Sequence, residues 1–169
     1  MGKIIYTTGN LIKNADEGYF DIIIHCCNCF NNMGAGIAKF IKQRWPNAAV
    51  ANNATKPGDK SKLGTFTFAK VRTKYNTEFY IVNAYGQYHY AAPPVGKEVN
   101  LDEDALRNSF KLINEHFKSM KDARIGFPKI GAGRAKGNWD NIEKIIEEEM
   151  TNFEHLEVII YDKEPTRAR

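Results

Sequence analysis

One short stretch of this chain holds a histidine, three cysteines and a group of asparagines and glycines. It covers residues 25–38 and has the sequence HCCNCFNNMGAGIA. The apolar residues before it predict a buried strand over 21–28, and the stretch leads into a predicted helix over 34–44. Such a loop forms an anion cradle, because free backbone N–H groups and the positive end of the helix dipole point at the same place. Phosphate is the expected ligand of this loop.

The glycine pattern of this stretch occurs a second time. GAGIA at 34–38 is echoed by GAGRA at 131–135, and each copy stands between a predicted strand and a predicted helix. If the two strands are parallel neighbours, the loops meet at the carboxyl edge of the sheet, where open α/β sheets bind ligands. Two facing loops suit a diphosphate better than one. Neither copy has the Gly-Lys-Ser/Thr ending of a P-loop or matches the dinucleotide fingerprint.

His25 and Asn28 are the candidate catalytic residues of the first loop. An imidazole beside the phosphate cradle can transfer a proton or orient a water molecule, whereas a lone histidine is more often structural. The amide of Asn28 can donate to a sugar hydroxyl or orient a water molecule. Its alternative role is a turn residue that bonds to the backbone.

Cys26, Cys27 and Cys29 are interpreted as buried apolar cysteines. Zinc binding with His25 is disfavoured, because successive side chains of a strand point to opposite faces and do not converge on one ion. We therefore predict no metal site and no cofactor. An odd number of cysteines without a visible export signal predicts reduced thiols and a cytoplasmic protein.

The 169 residues predict a single domain over 1–162 with a C-terminal tail at 163–169. The net charge of +4 could attract a polyanionic small molecule, but it is too weak and dispersed to indicate a nucleic-acid binder. No apolar run approaches the roughly 20 residues that span a bilayer. We expect a monomer with no membrane partner.

Alternating strand and helix patterns predict an α/β fold with a mixed sheet that is parallel at its centre. Asp102 and Asn138 are expected to cap two of the helices. The predicted strands are 3–7, 21–28, 64–71, 79–84, 124–130 and 156–161, with a hairpin joined around 74–76. The predicted helices are 34–44, 101–120 and 139–150, and the segments 47–62 and 85–96 are predicted loops.

Taken together, these motifs resemble the macrodomain family, whose members bind ADP-ribose. The resemblance covers about residues 3–162 and rests on TGNL at 8–11, the 25–38 stretch, NAY at 83–85 and PKIGAG at 128–133 leading into Trp139. It is closest to the small ADP-ribose-1''-phosphate phosphatases, including macrodomain proteins of tailed phages. The implied fold is a macrodomain-like three-layer α/β/α sandwich with a six-stranded mixed sheet and ADP-ribose in a cleft at its carboxyl edge.

The resemblance also implies roles for individual residues. Asn10 and Leu11 would contact the adenine, Asn28 would face the distal ribose, and His25 would lie near the 1'' position. Asparagine replaces the aspartate that many macrodomains have at the position of Asn10. The full set of implied ligand-binding residues is Asn10, Leu11, Asn28, Met33, Gly34, Ala35, Gly36, Ile37, Gly131, Ala132, Gly133, Arg134 and Ala135.

The expected activity is metal-independent hydrolysis of ADP-ribose-1''-phosphate to ADP-ribose and phosphate, with Arg134 pairing the terminal phosphate. Related glycohydrolases use a lysine after the fourth strand and, in some members, an aspartate in the second glycine loop. Here Tyr85-Gly86-Gln87 and Ala135 stand at those positions. Two alternatives remain: removal of ADP-ribose from protein or nucleic acid, and binding of an ADP-ribose-type signal without turnover.

Overall fold

Six strands form one sheet in the part of the chain that the structure describes. The computed structural model describes residues 4–90, 101–130 and 137–161. The strands are β1 (Ile4–Gly9), β2 (Ile22–Asn28), β3 (Phe66–Arg72), β4 (Glu78–Gln87), β5 (Arg124–Phe127) and β6 (His155–Tyr161). Their order across the sheet is β1-β6-β5-β2-β4-β3. Neighbours are parallel except β3 and β4, which are antiparallel.

Helices cover both faces of this sheet, which confirms the predicted three-layer α/β/α sandwich. They are α1 (Leu11–Asp16), α2 (Gly36–Arg44), α3 (Pro46–Asn53), α4 (Glu103–His116) and α5 (Trp139–Glu149), with 3-10 turns at Lys60–Lys62 and Lys118–Met120. Helices α4 and α5 contribute to one apolar cluster, and α1, α2 and α3 to the other. Among the described residues, no helix is long and apolar enough to cross a membrane.

The central strand β2 explains why the sheet needs both layers. Ile22 and Ile24 lie in the cluster on the α4 and α5 side, while Ile23 lies in the cluster on the α1, α2 and α3 side. All three side chains are at most 1% exposed. A strand buried on both faces is uniformly apolar rather than alternating, and the Ile-Ile-Ile run predicted this burial correctly.

Two short helices were not predicted from the sequence. Helix α3 occupies part of the predicted loop 47–62, and it begins at Pro46 directly after Trp45. Proline ends the preceding helix, but it is also favoured at the first position of a new one. Helix α1 begins after Asn10, whose side chain accepts a hydrogen bond from the backbone N–H of Lys13 at 3.0 Å. Its six residues are too few for a clear helical period.

Several boundaries also differ from the predicted ones. Strand β4 continues to Gln87, inside the predicted loop 85–96, because its last residues pair with the end of β2, Tyr85 with Cys27 and Gln87 with Asn28. Helix α2 begins at Gly36 rather than at residue 34, and β5 ends at Phe127 rather than at residue 130. The predicted helix 101–120 ends at His116 and is followed by a 3-10 turn. The predicted β3–β4 hairpin and the N-caps Asp102 and Asn138 are confirmed.

Candidate functional site

A cleft made of two adjoining cavities lies at the carboxyl edge of the sheet. It consists of a cavity of about 840 Å³ and a smaller one of about 200 Å³. The two cavities share Ile37, Pro128 and Lys129 in their walls. Because β2, β4, β5 and β6 are parallel, their carboxyl ends meet at this edge, as the sequence predicted for the ligand site.

The larger cavity forms what we call the apolar end of the cleft. Leu11 is buried there, whereas the ring of Phe40 is 56% exposed. Phe40 belongs to helix α2, and its ring forms part of the cleft wall. The apolar wall residues at this end are Leu11, Ile12, Ile37, Phe40, Ile159 and Ile160.

Polar groups at the apolar end are already partly engaged. Asn10 lines this cavity, but its side-chain oxygen caps α1. Asp16 also lines it, and both of its carboxylate oxygens accept hydrogen bonds from Arg44 at 2.8 Å. The hydrogen bonds from Arg44 hold the pKa of Asp16 below its usual range. The sequence did not single out Asp16, because its partner lies 28 residues away on another helix.

The N-terminus of helix α2 lines the smaller cavity. Ala35, Gly36 and Ile37 are all in its wall, as the sequence predicted for the first glycine loop. Gly36 has a φ of 59°, a left-handed conformation that favours glycine. A Cβ atom at Gly36 would meet nothing within 4 Å, so the backbone conformation rather than space requires glycine there. The free N–H groups of this first turn can bind a phosphate group.

Three side-chain amides characterise the other end of the cleft, which we call the amide end. They belong to Asn28, Asn32 and Gln87, all in the wall of the smaller cavity. Cys26, Cys27 and the half-exposed Tyr90 complete this end. Amides can both donate and accept hydrogen bonds, which suits the hydroxyl groups of a sugar.

Asn28 organises the loop that follows β2. Its side-chain oxygen accepts hydrogen bonds from the backbone N–H groups of Phe30 at 3.0 Å and Asn32 at 3.2 Å. Its amide group donates to the carbonyl oxygen of Asn32 at 2.7 Å. Asn28 therefore has the turn-forming role that the sequence left open as an alternative, and it also lines the cleft.

The structure corrects the predicted position of His25. Its side chain is 1% exposed and is not part of the cleft wall, so it is not placed to act on a ligand. Its Nε2 atom lies 2.7 Å from the side-chain oxygen of Asn83. That oxygen can only accept a hydrogen bond, so Nε2 must carry the proton and donate. A neutral imidazole with its proton on Nε2 makes this hydrogen bond without a positive charge. Burial lowers the pKa of His25 to about 4. We conclude that His25 is a buried structural histidine.

The cysteines of the same stretch are poor nucleophiles. Burial raises the pKa of Cys26 to about 12 and that of Cys27 well above the usual thiol range. A thiol with a raised pKa is mostly protonated at neutral pH, and the thiolate is the reactive form. Cys27 and Cys29 are buried, as predicted, whereas Cys26 is partly exposed at the amide end.

The remaining predicted ligand residues divide into two groups. Met33 is 4% exposed and packs in the cluster with α2 and α3, so the structure does not bring it to the cleft. Gly34 is exposed beside the cleft, and its N–H donates to the side-chain oxygen of Asn32 at 2.9 Å. The predicted residues of the second glycine loop lie outside the described residues: Gly131, Ala132, Gly133, Arg134 and Ala135.

Sequence reasoning missed Asn32, Gln87 and Tyr90 as cleft residues. Asn32 lay inside the highlighted stretch, and its position four residues after Asn28 matches a turn closed by side chain and backbone. Gln87 and Tyr90 were placed in a loop because the extension of β4 was not predicted. Their side chains reach the cleft because β4 is parallel to β2 and ends beside it.

With this geometry established, the chain was compared with known proteins. Residues 24–146 match the family described as Macro domain, which is more than half of the chain. The chain belongs to the Macro domain family. This family assignment agrees with the cleft position and confirms the resemblance predicted from the sequence.

Relatives of this macrodomain differ in the functions that their names give. It is 34% identical over 164 residues to an uncharacterized 17.5 kDa protein of Enterobacteria phage T4, covering 95% of this chain and 96% of that protein. It is 24% identical to a DNA ADP-ribosyl glycohydrolase of Mycobacterium tuberculosis over 94% of this chain, which spans 42% of that protein. An ADP-ribose 1''-phosphate phosphatase of Saccharomyces cerevisiae is 42% identical over only 48 residues, 28% of this chain and 26% of that protein.

Solved structures confirm the fold. The macrodomain of Mycobacterium tuberculosis DarG superposes with a TM-score of 0.70 at 19% identity, covering 96% of this chain and 99% of that one. Thermosipho africanus DarTG, solved in complex with ADP-ribose, superposes with a TM-score of 0.71 at 15% identity. That match covers 99% of this chain and 44% of DarTG. At these identities the likeness shows the α/β sandwich alone.

Proposed function

We propose that the cleft binds ADP-ribose derivatives and that the chain hydrolyses ADP-ribose-1''-phosphate to ADP-ribose and inorganic phosphate. The observation that carries the proposal is that the cavities of the apolar and amide ends adjoin, with Ile37, Pro128 and Lys129 in the walls of both. A ligand with a base at one end, a diphosphate in the middle and a sugar at the other end matches the order of the apolar end, the N-terminus of α2 and the amide end along the cleft. Membership of the Macro domain family supports the same ligand class.

Each part of the ligand has a matching part of the cleft. The adenine would pack against apolar side chains such as Phe40, and the diphosphate would accept hydrogen bonds from the first turn of α2. The second glycine loop would bind the diphosphate from the other side, and Arg134 would pair with the terminal phosphate, as the sequence predicts. The distal ribose would then reach the amide groups of Asn28 and Gln87.

The reaction requires little covalent chemistry from the protein. A water oxygen attacks the phosphorus atom, the bond from phosphorus to the 1'' oxygen breaks, and that oxygen leaves with a proton as a hydroxyl of ADP-ribose. Phosphoryl transfer depends mainly on positioning and on stabilising charge at the phosphoryl oxygens. Backbone N–H groups of α2 and Arg134 would stabilise that charge, and amides would orient the water. His25 takes no part, because it does not reach the cleft.

The composition of the amide end favours phosphate over glycosidic hydrolysis. The related glycohydrolases use a lysine after the fourth strand, in some members paired with an aspartate of the second glycine loop, and Tyr85-Gly86-Gln87 and Ala135 stand at those positions here. Among the described residues, the amide end contains no carboxylate. Lys129 lines the smaller cavity, and its ammonium lies 5.9 Å from the ring centre of Trp139. Neutral amides can hold a dianionic phosphate and its attacking water without such a pair.

The second candidate is release of ADP-ribose from a modified macromolecule. It is supported by 24% identity, over 94% of this chain, to a DNA ADP-ribosyl glycohydrolase. In that case the bond cleaved would join the 1'' carbon to the macromolecule, and the product would be free ADP-ribose. ADP-ribose binding is common to both candidates.

Product analysis separates these candidates. We expect chromatography after incubation with ADP-ribose-1''-phosphate to show ADP-ribose and phosphate, with and without a chelator. Gln87→Ala should lower kcat/KM at least tenfold, whereas Gln43→Ala, an exposed glutamine of α2 outside the cleft, should not. Free ADP-ribose released from modified DNA or protein, with no phosphate produced from the small molecule, would establish the glycohydrolase. Binding of ADP-ribose with neither product would leave a binding module.

A further inference from the structure

Lys62 is a lysine with an unusual environment. It lies in the 3-10 turn Lys60–Lys62 and is only 7% exposed, although lysine is almost never fully buried without partners. Its ammonium donates a hydrogen bond to the carbonyl oxygen of Cys29 at 3.1 Å and another to the side-chain oxygen of Asn31. It also lies 4.9 Å from the ring centre of Tyr85. Burial lowers the pKa of Lys62, so this placement opposes its charge.

Both hydrogen-bond partners of Lys62 belong to the loop that follows β2. Asn31 has a φ of 61°, a left-handed conformation that residues other than glycine adopt only rarely. Its amide donates to the carbonyl oxygen of Thr55 at 2.8 Å, and the Thr55 hydroxyl donates to its side-chain oxygen at 3.2 Å. Lys62 and Thr55 therefore fix the turn at Asn31 from the interior.

The opposite side of the same loop faces the amide end of the cleft. There Asn28 accepts hydrogen bonds from the N–H groups of Phe30 and Asn32 and donates to the carbonyl oxygen of Asn32. Asn32 in turn accepts from the N–H of Gly34, two residues before α2 begins. Residues 29–32 are thus held from two sides, by Asn28 at the cleft and by Lys62 behind it.

We propose that Lys62 is a positioning residue for the amide end of the cleft. By fixing the carbonyl of Cys29 and the side chain of Asn31, it sets the position of Asn28 and Asn32 and hence the contacts of the distal ribose. The apolar end is built by other segments, so its adenine contacts do not depend on Lys62. This inference rests on the proposed function in one respect, that the ligand is an ADP-ribose derivative.

The test compares two ligands, only one of which carries the distal ribose that would occupy the amide end of the cleft. AMP carries the adenosine and one phosphate, whereas ADP-ribose also carries the distal ribose. We expect Lys62→Met to weaken ADP-ribose binding at least tenfold in a calorimeter and to change AMP binding less than twofold. Lys60→Met, two residues away and exposed, is the matched control and should change neither. A purely structural lysine would instead weaken both ligands together, or neither.

Two milder variants keep the test decisive if Lys62→Met does not fold. Asn31→Gly preserves the left-handed backbone but removes one acceptor of the ammonium, and Lys62→Arg preserves the charge and its donors. We expect Asn31→Gly to weaken ADP-ribose selectively and Lys62→Arg to recover part of the affinity. Unchanged ADP-ribose binding by Asn31→Gly and Lys62→Met would overturn the inference. Failure of the wild-type protein to bind ADP-ribose would instead reject the proposed function, and this inference with it.

Discussion

Acidification should destabilise the folded chain through His25. Its pKa is about 4 in the folded protein, whereas an unfolded histidine titrates near 6.5. Between these values the unfolded chain binds a proton that the folded chain does not, so stability falls as the pH falls. The contribution of His25 is fully present above about pH 6.5 and is lost progressively down to about pH 4.

The magnitude follows from the two pKa values. One pKa unit corresponds to about 1.4 kcal/mol, so the complete loss is about 3 kcal/mol, with roughly 1 kcal/mol lost by pH 5.5 and most of the remainder by pH 4.5. The structural cause is burial of the ring, and the hydrogen bond from Nε2 to Asn83 only partly offsets it. These values are a large share of the roughly 5–15 kcal/mol that is typical of a folded domain.

Urea unfolding between pH 7.5 and 4.5 measures this effect, with the fluorescence of the buried Trp45 as one probe. Carboxylates also titrate in this range, so the informative quantity is the difference between the wild type and His25→Gln. Glutamine can still donate to Asn83 but does not titrate. We expect the wild type to lose roughly 2–3 kcal/mol more than the variant by pH 4.5.

A stability difference between wild type and His25→Gln that stays constant from pH 7.5 to 4.5 would refute the reasoning. It would mean that the imidazole gains solvent or a charged partner on protonation, contrary to the burial seen in the structure.

Three further predictions concern individual contacts. Phe40→Ala should lower ADP-ribose affinity at least fivefold in a calorimeter while changing the urea midpoint little, because the ring is 56% exposed in the apolar end. Tyr85→Phe removes a hydroxyl that is hydrogen-bonded to Thr67 and Asn52, so it should lower the free energy of unfolding in urea by about 1–3 kcal/mol. An unchanged free energy of unfolding would show that these hydrogen bonds are dispensable. Asp102→Ala removes the N-cap of α4 and should lower the free energy of unfolding in urea by about 1 kcal/mol. Asp102→Asn can still cap the helix, so it should lower the free energy of unfolding by less.

The sheet and its long helices were predictable because their signals are local. The apolar run of β2, the alternation of β3 and the apolar stripe of α4 each depend on a few neighbouring residues. Helix α3 gave no such signal, since its buried residues are Ala48, Ala49 and Asn52. Small and polar residues leave no apolar period, and the helix is recognised only by the core against which it packs.

The cleft was predictable as a location but not as a set of side chains. Topology alone places the glycine loop after β2 at the carboxyl edge, and the structure confirms that Ala35, Gly36 and Ile37 line a cavity there. Asp16 and Lys62 could not be found in this way. Each acquires its role from partners on distant segments, Arg44 in one case and Asn31 in the other.

The error at His25 has a specific geometric origin. Along β2 the side chains alternate, which sends Ile23 and His25 into the layer of α3 and Ile24 into the opposite layer. The register then shifts between Cys27 and Asn28, where β2 pairs with β4 irregularly. The last three residues of β2, Cys26, Cys27 and Asn28, line the smaller cavity on both sides of this shift, whereas His25, directly before them, remains in the core. Proximity in sequence to a phosphate loop is therefore weak evidence for catalysis when the residue lies inside a strand with both faces covered. In this chain, the side-chain amides that line the amide end come from the last residue of β2, from the loop that follows it and from the end of β4.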